Sequence, residues 1–280
     1  MKILCAFFLS IFLMSSCGSM EPSSSSIYGL GFSENGNNLA LLFGSPQNLQ
    51  GVKTDIRELN NTLLNPEFNF HFRTMTDDQA SKTKILQVTS REVKNADSLF
   101  WYYSGHGIGG SLDTGSGFLA FAEVASTIKR ARNNVPLDRL LVFIDACESG
   151  HLVDGDAPII DENHSIEKTL FEPLRQERDG KLYKQAFVMV SSQKDESSAD
   201  LGAEYGGAFT YSLRESLIDI RKEHPKATLK QLADMTIERT IEESRRNPNS
   251  QLPTERSHTP LYDAFPVKDI ENDLVFIYKK

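Results

Sequence analysis

The chain has 280 residues, a formal net charge of −8, 39% hydrophobic and 24% charged residues, and three cysteines. Its acidic balance is spread without long runs, which argues against nucleic acid as the main partner; the basic cluster Lys129-Arg130-Arg132 reads as a solvated helix face. The length is enough for one α/β domain with a sizeable core, or for two small ones.

In chain order, Lys2 precedes an apolar stretch over residues 3–14 that is short for a membrane span, followed by Met14-Ser15-Ser16-Cys17. This run resembles a bacterial lipobox, with Met14 where Leu is more usual. It predicts a lipoprotein signal over residues 1–16 and lipidation of Cys17; the alternative is an ordinary cleaved secretory signal. Either way the mature chain is expected to be exported, in the first case anchored to an envelope membrane and facing the periplasm or the surface. Cys5 leaves with the signal and Cys17 is acylated, so Cys147 has no disulfide partner within the chain. An unpaired thiol in an exported protein calls for an explanation. Residues 17–38 are small and polar, with Ser23 to Ser26 in a row, and suit a flexible tether ahead of a domain over residues 39–280.

Leu39-Ala40-Leu41-Leu42-Phe43-Gly44 reads as a first strand, and Val52, Ile56, Leu59 and Leu63 mark a helix over residues 52–64 that Asn65-Pro66 stops. A second strand is expected over residues 68–75, a second helix over 80–93 and a third strand over 98–103. After a glycine-rich stretch to Gly117 come a short apolar piece over residues 118–121, a helix over 124–132 and a strand ending at Cys147. Residues 151–184 read as a long exposed loop, with Pro158, Pro173, an Arg178-Asp179-Gly180 turn and one short helix over about 166–175; loops of this length in compact domains are usually functional. A fifth strand over residues 186–190, helices over 208–220 and 229–243, and a final strand over 273–278 complete the pattern. The alternation predicts an α/β fold: a mostly parallel sheet of about six strands, right-handed crossovers and helices on both faces.

Two strand ends carry chemistry. Val142-Phe143-Ile144-Asp145-Ala146-Cys147-Glu148-Ser149-Gly150 stops on a small polar turn, and Leu99-Phe100-Trp101-Tyr102-Tyr103 runs into Ser104-Gly105-His106-Gly107. Open α/β sheets put their sites at such carboxyl ends, and a lone Cys after one strand with a His after another is a candidate nucleophile and base. Singly, Cys147 reads as well as a buried structural thiol and His106 as a histidine bonded within a turn; their placement at adjacent predicted strand ends favours catalysis. An imidazole near the thiol would favour the thiolate and shuttle the proton.

With Tyr102-Tyr103-Ser104-Gly105-His106-Gly107, Asp145-Ala146-Cys147-Glu148-Ser149-Gly150, and Ser191-Ser192-Gln193-Lys194-Asp195-Glu196-Ser197-Ser198-Ala199 followed by Gly206-Gly207-Ala208-Phe209-Thr210, the sequence resembles the caspase/metacaspase superfamily of cysteine peptidases, bacterial metacaspase-like members above all. The likeness spans roughly residues 39–217, with the motifs in the family's order. It implies a three-layer caspase-like fold and an endopeptidase working through a thioester, with Cys147 as nucleophile and His106 as general acid/base. By the same resemblance the backbone N–H groups of Gly107 and Cys147 form the oxyanion hole, and no third acidic side chain is required. Papain-like enzymes place Cys before His; here His comes first.

The resemblance also bears on specificity. Caspases that hold an acidic side chain carry Gln two positions before the cysteine and an Arg from an early loop. This chain has Asp145 in the first place and no Arg in the early loop over residues 44–55. A carboxylate there would repel Asp and pair with Arg or Lys, the metacaspase preference, in which the matching Asp lines the S1 pocket. Asp55 stands where metacaspases have a second pocket acid and Ser104 where they have a third contact. Asp55 also reads as a first-turn charge favoured by the helix dipole. Glu148 replaces the His common after the metacaspase cysteine. No calcium-binding acidic cluster is evident; Asp154, Asp156 and Asp161 are the nearest residues and read as loop solvation, so no cofactor is expected and calcium is the alternative. Arg175, Arg178 and Lys181 would let an Arg/Lys-specific enzyme cut its own loop. The rival readings are an inactive caspase-like adaptor and a peptidase of the same fold with Asp or Asn preference. The expected partner is a protein or peptide substrate, with oligomeric state left open.

Overall fold

The computed structural model describes residues 27–28, 32–33, 36–108, 111–147, 182–192, 198–223, 227–246 and 259–265. After a small antiparallel pair, β1 (Ile27–Tyr28) and β2 (Phe32–Ser33), the chain alternates: β3 (Asn38–Ser45), α1 (Val52–Leu63), β4 (His71–Thr76), α2 (Lys82–Glu92), β5 (Ser98–Ile108), the short strands β6 (Ser111–Asp113) and β7 (Phe118–Ala120), α3 (Phe121–Ala131) and β8 (Leu137–Ala146). Then follow β9 (Tyr183–Val190), α4 (Ala208–Glu223), α5 (Leu229–Arg246) and β10 (Leu261–Phe265). The main sheet runs β10-β9-β8-β5-β3-β4, with β10 antiparallel on one edge and every other pairing along that path parallel.

Strand alternation divides the core in two. Leu41, Phe43, Trp101, Tyr103, Val142 and Val188 pack with Ile85 of α2 and Phe121 and Ile128 of α3. Leu42, Phe100, Tyr102, Phe143 and Phe187 pack on the other side with Ile56 of α1, Leu213 of α4 and Leu232 of α5. Both faces of the sheet are therefore covered, which is why its strands are continuous apolar runs rather than alternating ones. The expected three-layer α/β architecture, with a mostly parallel sheet of six strands, is the one that forms. Phe100 and Phe143 stack at 4.9 Å across the middle of it, and truncating either to Ala would cost about 3–5 kcal/mol in transfer and cavity terms.

The differences from the sequence reading lie at element ends. The third strand was expected to stop at Tyr103, but β5 continues to Ile108: Ser104 and Gly105 stay in register with Asp145 and Ala146, and His106 to Ile108 then pair antiparallel with β6. The polar, glycine-rich sequence is a turn signal that a ladder on both sides overrides. Residues 66–68 form a single 3-10 turn and β4 starts only at His71, while β9 begins at Tyr183, inside the segment expected to be loop. The strand β10, Leu261-Tyr262-Asp263-Ala264-Phe265, was not anticipated. The expected helix over about 166–175 and the strand over 273–278 lie outside the described residues.

Candidate active site

The carboxyl ends of β3, β5 and β8 meet the first turns of α1 and α4 and the segment before α4. Ser104 and Asp145 are direct neighbours in the parallel ladder, and both are buried. Asp55, in the first turn of α1, turns inward to them and is only 3% exposed, against 5% for Asp145. The first-turn position and the pocket position of Asp55 are thus one and the same. Ser104 Oγ donates to Asp55 Oδ2 at 2.7 Å, and the Gly207 N–H donates to Asp55 Oδ1 at 2.7 Å. Asp145 accepts from Ser198 Oγ at 2.6 Å, from Thr210 Oγ1 at 2.7 Å and from the Thr210 N–H at 3.1 Å. Since the Thr210 hydroxyl is spent on Asp145, the Tyr102 hydroxyl, 2.5 Å away, donates to Thr210 Oγ1.

Two glycines make this approach possible. A Cβ on Gly206 would strike Asp55 Oδ1, and one on Gly207 would strike Asp145 Oδ2. Gly206 also has a φ of +86°, which side-chain-bearing residues rarely adopt. The Gly206-Gly207 pair thereby brings the N-terminus of α4, with its unpaired N–H groups, onto both carboxylates. Asp200 closes the same space from the segment before α4, accepting from the Gly51 N–H at 3.3 Å and from the Gly202 N–H at 2.8 Å.

The pocket is lined by Asp55, Ser104, Asp145, Cys147, Ser198 and Asp200 together with Leu49, Val52, Ala199 and glycine backbone, and among the described residues no Lys, Arg or His lines it. Burial raises the carboxyl of Asp55 well above its ordinary range, and the neighbouring Asp145 charge adds to this against the bonds from Ser104 and Gly207. Asp145 is raised too, by burial first, with the bonds from Ser198 and Thr210 opposing.

Cys147 follows the last residue of β8 and stands at the pocket wall. Its backbone is pinned from behind: Ser191 Oγ accepts from the Ala146 N–H and donates to the Ala146 carbonyl, and Ser192 Oγ donates to the same carbonyl. Sγ accepts from the Ser198 N–H at 3.1 Å and lies 3.7 Å from the Ser198 carbonyl. Burial pushes the Cys147 thiol up to about 11, with the charges of Asp145 and Asp200 adding and the Ser198 N–H opposing. Continuing the β5–β8 ladder one step beyond Gly105 and Ala146 brings His106 beside Cys147. The two side chains are not hydrogen-bonded to each other: His106 Nε2 lies 3.2 Å from the Gln47 carbonyl. A carbonyl can only accept, so Nε2 carries a proton and donates it to Gln47, which leaves Nδ1 as the ring nitrogen for proton transfer. Gln47 is itself fixed by bonds from its Nε2 to the Asp113 carbonyl at 2.9 Å and to Asp113 Oδ1 at 3.0 Å.

Thus Asp55, Ser104, His106, Gly107, Asp145 and Cys147 converge at the carboxyl ends of the central strands, while Cys17, Glu148, Asp154, Asp156, Asp161, Arg175, Arg178 and Lys181 lie outside the described residues. Among the described residues no three His, Cys, Asp or Glu side chains are grouped to hold a metal ion. The glycines around His106 are required by close approach: a Cβ on Gly107 would collide with the Cys147 carbonyl, and one on Gly105 with the Tyr103 hydroxyl and the Ser45 carbonyl. Sequence reasoning gave no role to Gln47, Ser191, Ser192, Ser198, Asp200 or Thr210. For four of them the signal was present, since Ser191, Ser192, Ser198 and Thr210 belong to the third motif already singled out.

The Caspase domain family matches residues 37–265. No curated protein sequence matches the chain. Among solved structures the chain is similar to caspase-1 from Spodoptera frugiperda, with a TM-score of 0.58 and 14% identity, over 86% of this chain and 89% of that one. At that identity the likeness speaks for the fold.

Proposed function

Taking as premise that the chain belongs to the Caspase domain family, a cysteine-peptidase type of domain, we propose that it is an endopeptidase cleaving after Arg or Lys. The observation that carries the specificity is the buried pair Asp55 and Asp145 beside Cys147, in a pocket that no basic side chain among the described residues lines. An arginine guanidinium entering it finds two carboxylates already oriented by Ser104, Gly207, Ser198 and Thr210.

In the reaction, His106 Nδ1 takes the Cys147 proton and the thiolate attacks the scissile carbonyl carbon. The oxyanion is held by the N–H groups of Gly107 and Cys147, whose backbones lie against each other. The intermediate collapses, the leaving amine takes the proton from His106, and a thioester remains on Cys147. Water, deprotonated by His106, attacks the thioester and releases the acid and the thiol. The unbonded dyad fits a resting enzyme whose catalytic contacts tighten on substrate. At its N-terminus the protein is tethered to an envelope membrane through lipidated Cys17, and Arg175, Arg178 and Lys181 offer sites for self-cleavage.

One observation favours a second reading, an adaptor without turnover: the thiol is held up near 11 and bonded to Ser198 rather than to His106. Fluorogenic peptides ending in Arg, Lys, Asp or Asn, with Cys147→Ala in parallel, separate the two. Turnover of Arg and Lys peptides that vanishes in the variant is the expected result. Turnover of Asp or Asn peptides alone removes the specificity assignment. No turnover of any peptide, with calcium and after nicking within residues 151–181, moves the assignment to the adaptor.

A further inference from the structure

Pocket and nucleophile share a residue. Ser198 gives its hydroxyl to Asp145 Oδ1 at 2.6 Å and its N–H to Cys147 Sγ at 3.1 Å, and its carbonyl lies 3.7 Å from the same sulfur. The two backbone contacts pull in opposite directions. A carbonyl can only accept, so it favours the protonated thiol; an N–H can only donate, so it favours the thiolate. Which of them dominates depends on how the Ser198 peptide is tilted, and its side chain is tied to a pocket carboxylate.

The charged and titratable groups around Cys147 make this balance matter. Asp145 comes from β8, Asp55 from α1 and Asp200 from the segment before α4, while His106 of β5 flanks the cysteine through the ladder. Tyr102 of β5 is held neutral by burial and bonded to Thr210. With the pocket empty, burial and the acids keep the sulfur protonated.

Resting on the reading of the pocket as the seat of an Arg or Lys side chain, we propose that Ser198 makes Cys147 responsive to pocket occupancy. A cation between Asp55 and Asp145 competes with the Ser198 hydroxyl for Asp145 Oδ1. The Ser198 peptide shifts toward its N–H contact with Sγ, the proton leaves to His106, and the thiolate is favoured only when the correct side chain is in place. The Ser198 side chain is a positioning group here: it bonds to Asp145 and acts on the sulfur only through the Ser198 peptide. Selectivity then acts on the chemical step as well as on binding, because the wrong side chain leaves the nucleophile protonated.

The test uses agmatine, a guanidinium with no carbonyl to attack, on the full chain. Binding is measured by calorimetry, and alkylation of Cys147 by iodoacetamide is followed by peptide mass as a function of pH. The pH midpoint is the readout because steric shielding by agmatine slows alkylation without moving it. Saturating agmatine is expected to lower the midpoint by about one pH unit. Below the midpoint this is a tenfold gain in thiolate. Lower nucleophilicity leaves about a threefold gain in rate. Ser198→Ala keeps both backbone groups but cuts the tie to Asp145; it is expected to bind agmatine and show no shift, and Ser198→Thr to restore it. Agmatine binding to the wild type with an unmoved midpoint overturns the proposal and leaves the pocket reading standing. An equal shift in wild type and Ser198→Ala overturns the role of Ser198, since the field of the acids then suffices. Absence of agmatine binding overturns the pocket reading and the proposal with it.

Discussion

The pocket and the catalytic pair lie a few residues apart on the same strands and are built in opposite ways. In the pocket, both oxygens of Asp55 and both of Asp145 accept from named donors, and two glycines bring a helix N-terminus onto them. In the pair, His106 and Cys147 are neighbours by register, yet each is bonded to the backbone of a separate loop residue, Gln47 or Ser198. The pocket is preorganised while the thiol is held back. In a peptidase, such an arrangement would keep the chemistry for substrates that the pocket has accepted.

The sharpest way to break the comparison is to remove one side of it. Cys147→Ala is expected to lower turnover of Arg peptides by at least ~1000-fold while changing agmatine affinity by less than about tenfold, because Sγ bonds to neither Asp55 nor Asp145. A parallel loss of agmatine binding, read by calorimetry, would show that pocket and nucleophile are one cooperative unit. Asp145→Asn works from the other side. Three donors aim at this carboxylate, from Ser198 and Thr210, and an amide can accept from only part of them. Turnover of Arg peptides is expected to fall on the order of 100-fold. The Cys147 alkylation midpoint, however, should move down, because a charge that raises the thiol is gone. A midpoint that rises instead would mean that Asp145 supports the thiolate.

How far the sequence discloses this depends on the kind of contact. The sheet was legible because buried parallel strands are long apolar runs, as in Leu140 to Ile144, and the helices because Val52, Ile56, Leu59 and Leu63 repeat at helical spacing. Cys147, His106 and Asp145 were legible as chemistry-bearing residues at strand ends. What was not legible is long-range and backbone-borne: Ser198 reaching both Asp145 and Cys147, Gln47 offering a carbonyl to His106, and Gly206-Gly207 seating α4 on two acids. No periodicity marks such contacts. β5 shows the same limit, since Ser104-Gly105-His106-Gly107 looks like a turn and becomes a strand only because β3, β8 and β6 pair with it.

A smaller effect concerns catalysis against pH. Pocket acids that titrate above the ordinary range accept a cation only when ionised, so KM for Arg peptides should fall as pH rises through their titration, while kcat follows the rising thiolate fraction. Steady-state kinetics from mildly acidic to mildly alkaline pH separate the two limbs; a KM independent of pH would mean that the acids are already fully ionised.

The smallest expected effect is on stability, and it runs opposite to the usual behaviour of paired carboxylates. The folded protein holds protons on Asp55 and Asp145 more tightly than the unfolded chain does. The stabilising contribution is complete below the ordinary carboxylate range and is lost as pH rises through the raised folded-state values. Unfolding free energy should therefore decline with rising pH by on the order of 1 kcal/mol for each pH unit over which one extra proton is held. Asp55→Asn, which leaves an acceptor for one of the Ser104 and Gly207 bonds, should flatten that decline, as should saturating agmatine, whose charge replaces the protons. Urea titrations of wild type and variant from the ordinary carboxylate range up to mildly alkaline pH read the slopes directly. Parallel slopes in the two proteins would place the excess protons elsewhere and leave the Asp55 carboxyl ionised in the empty pocket.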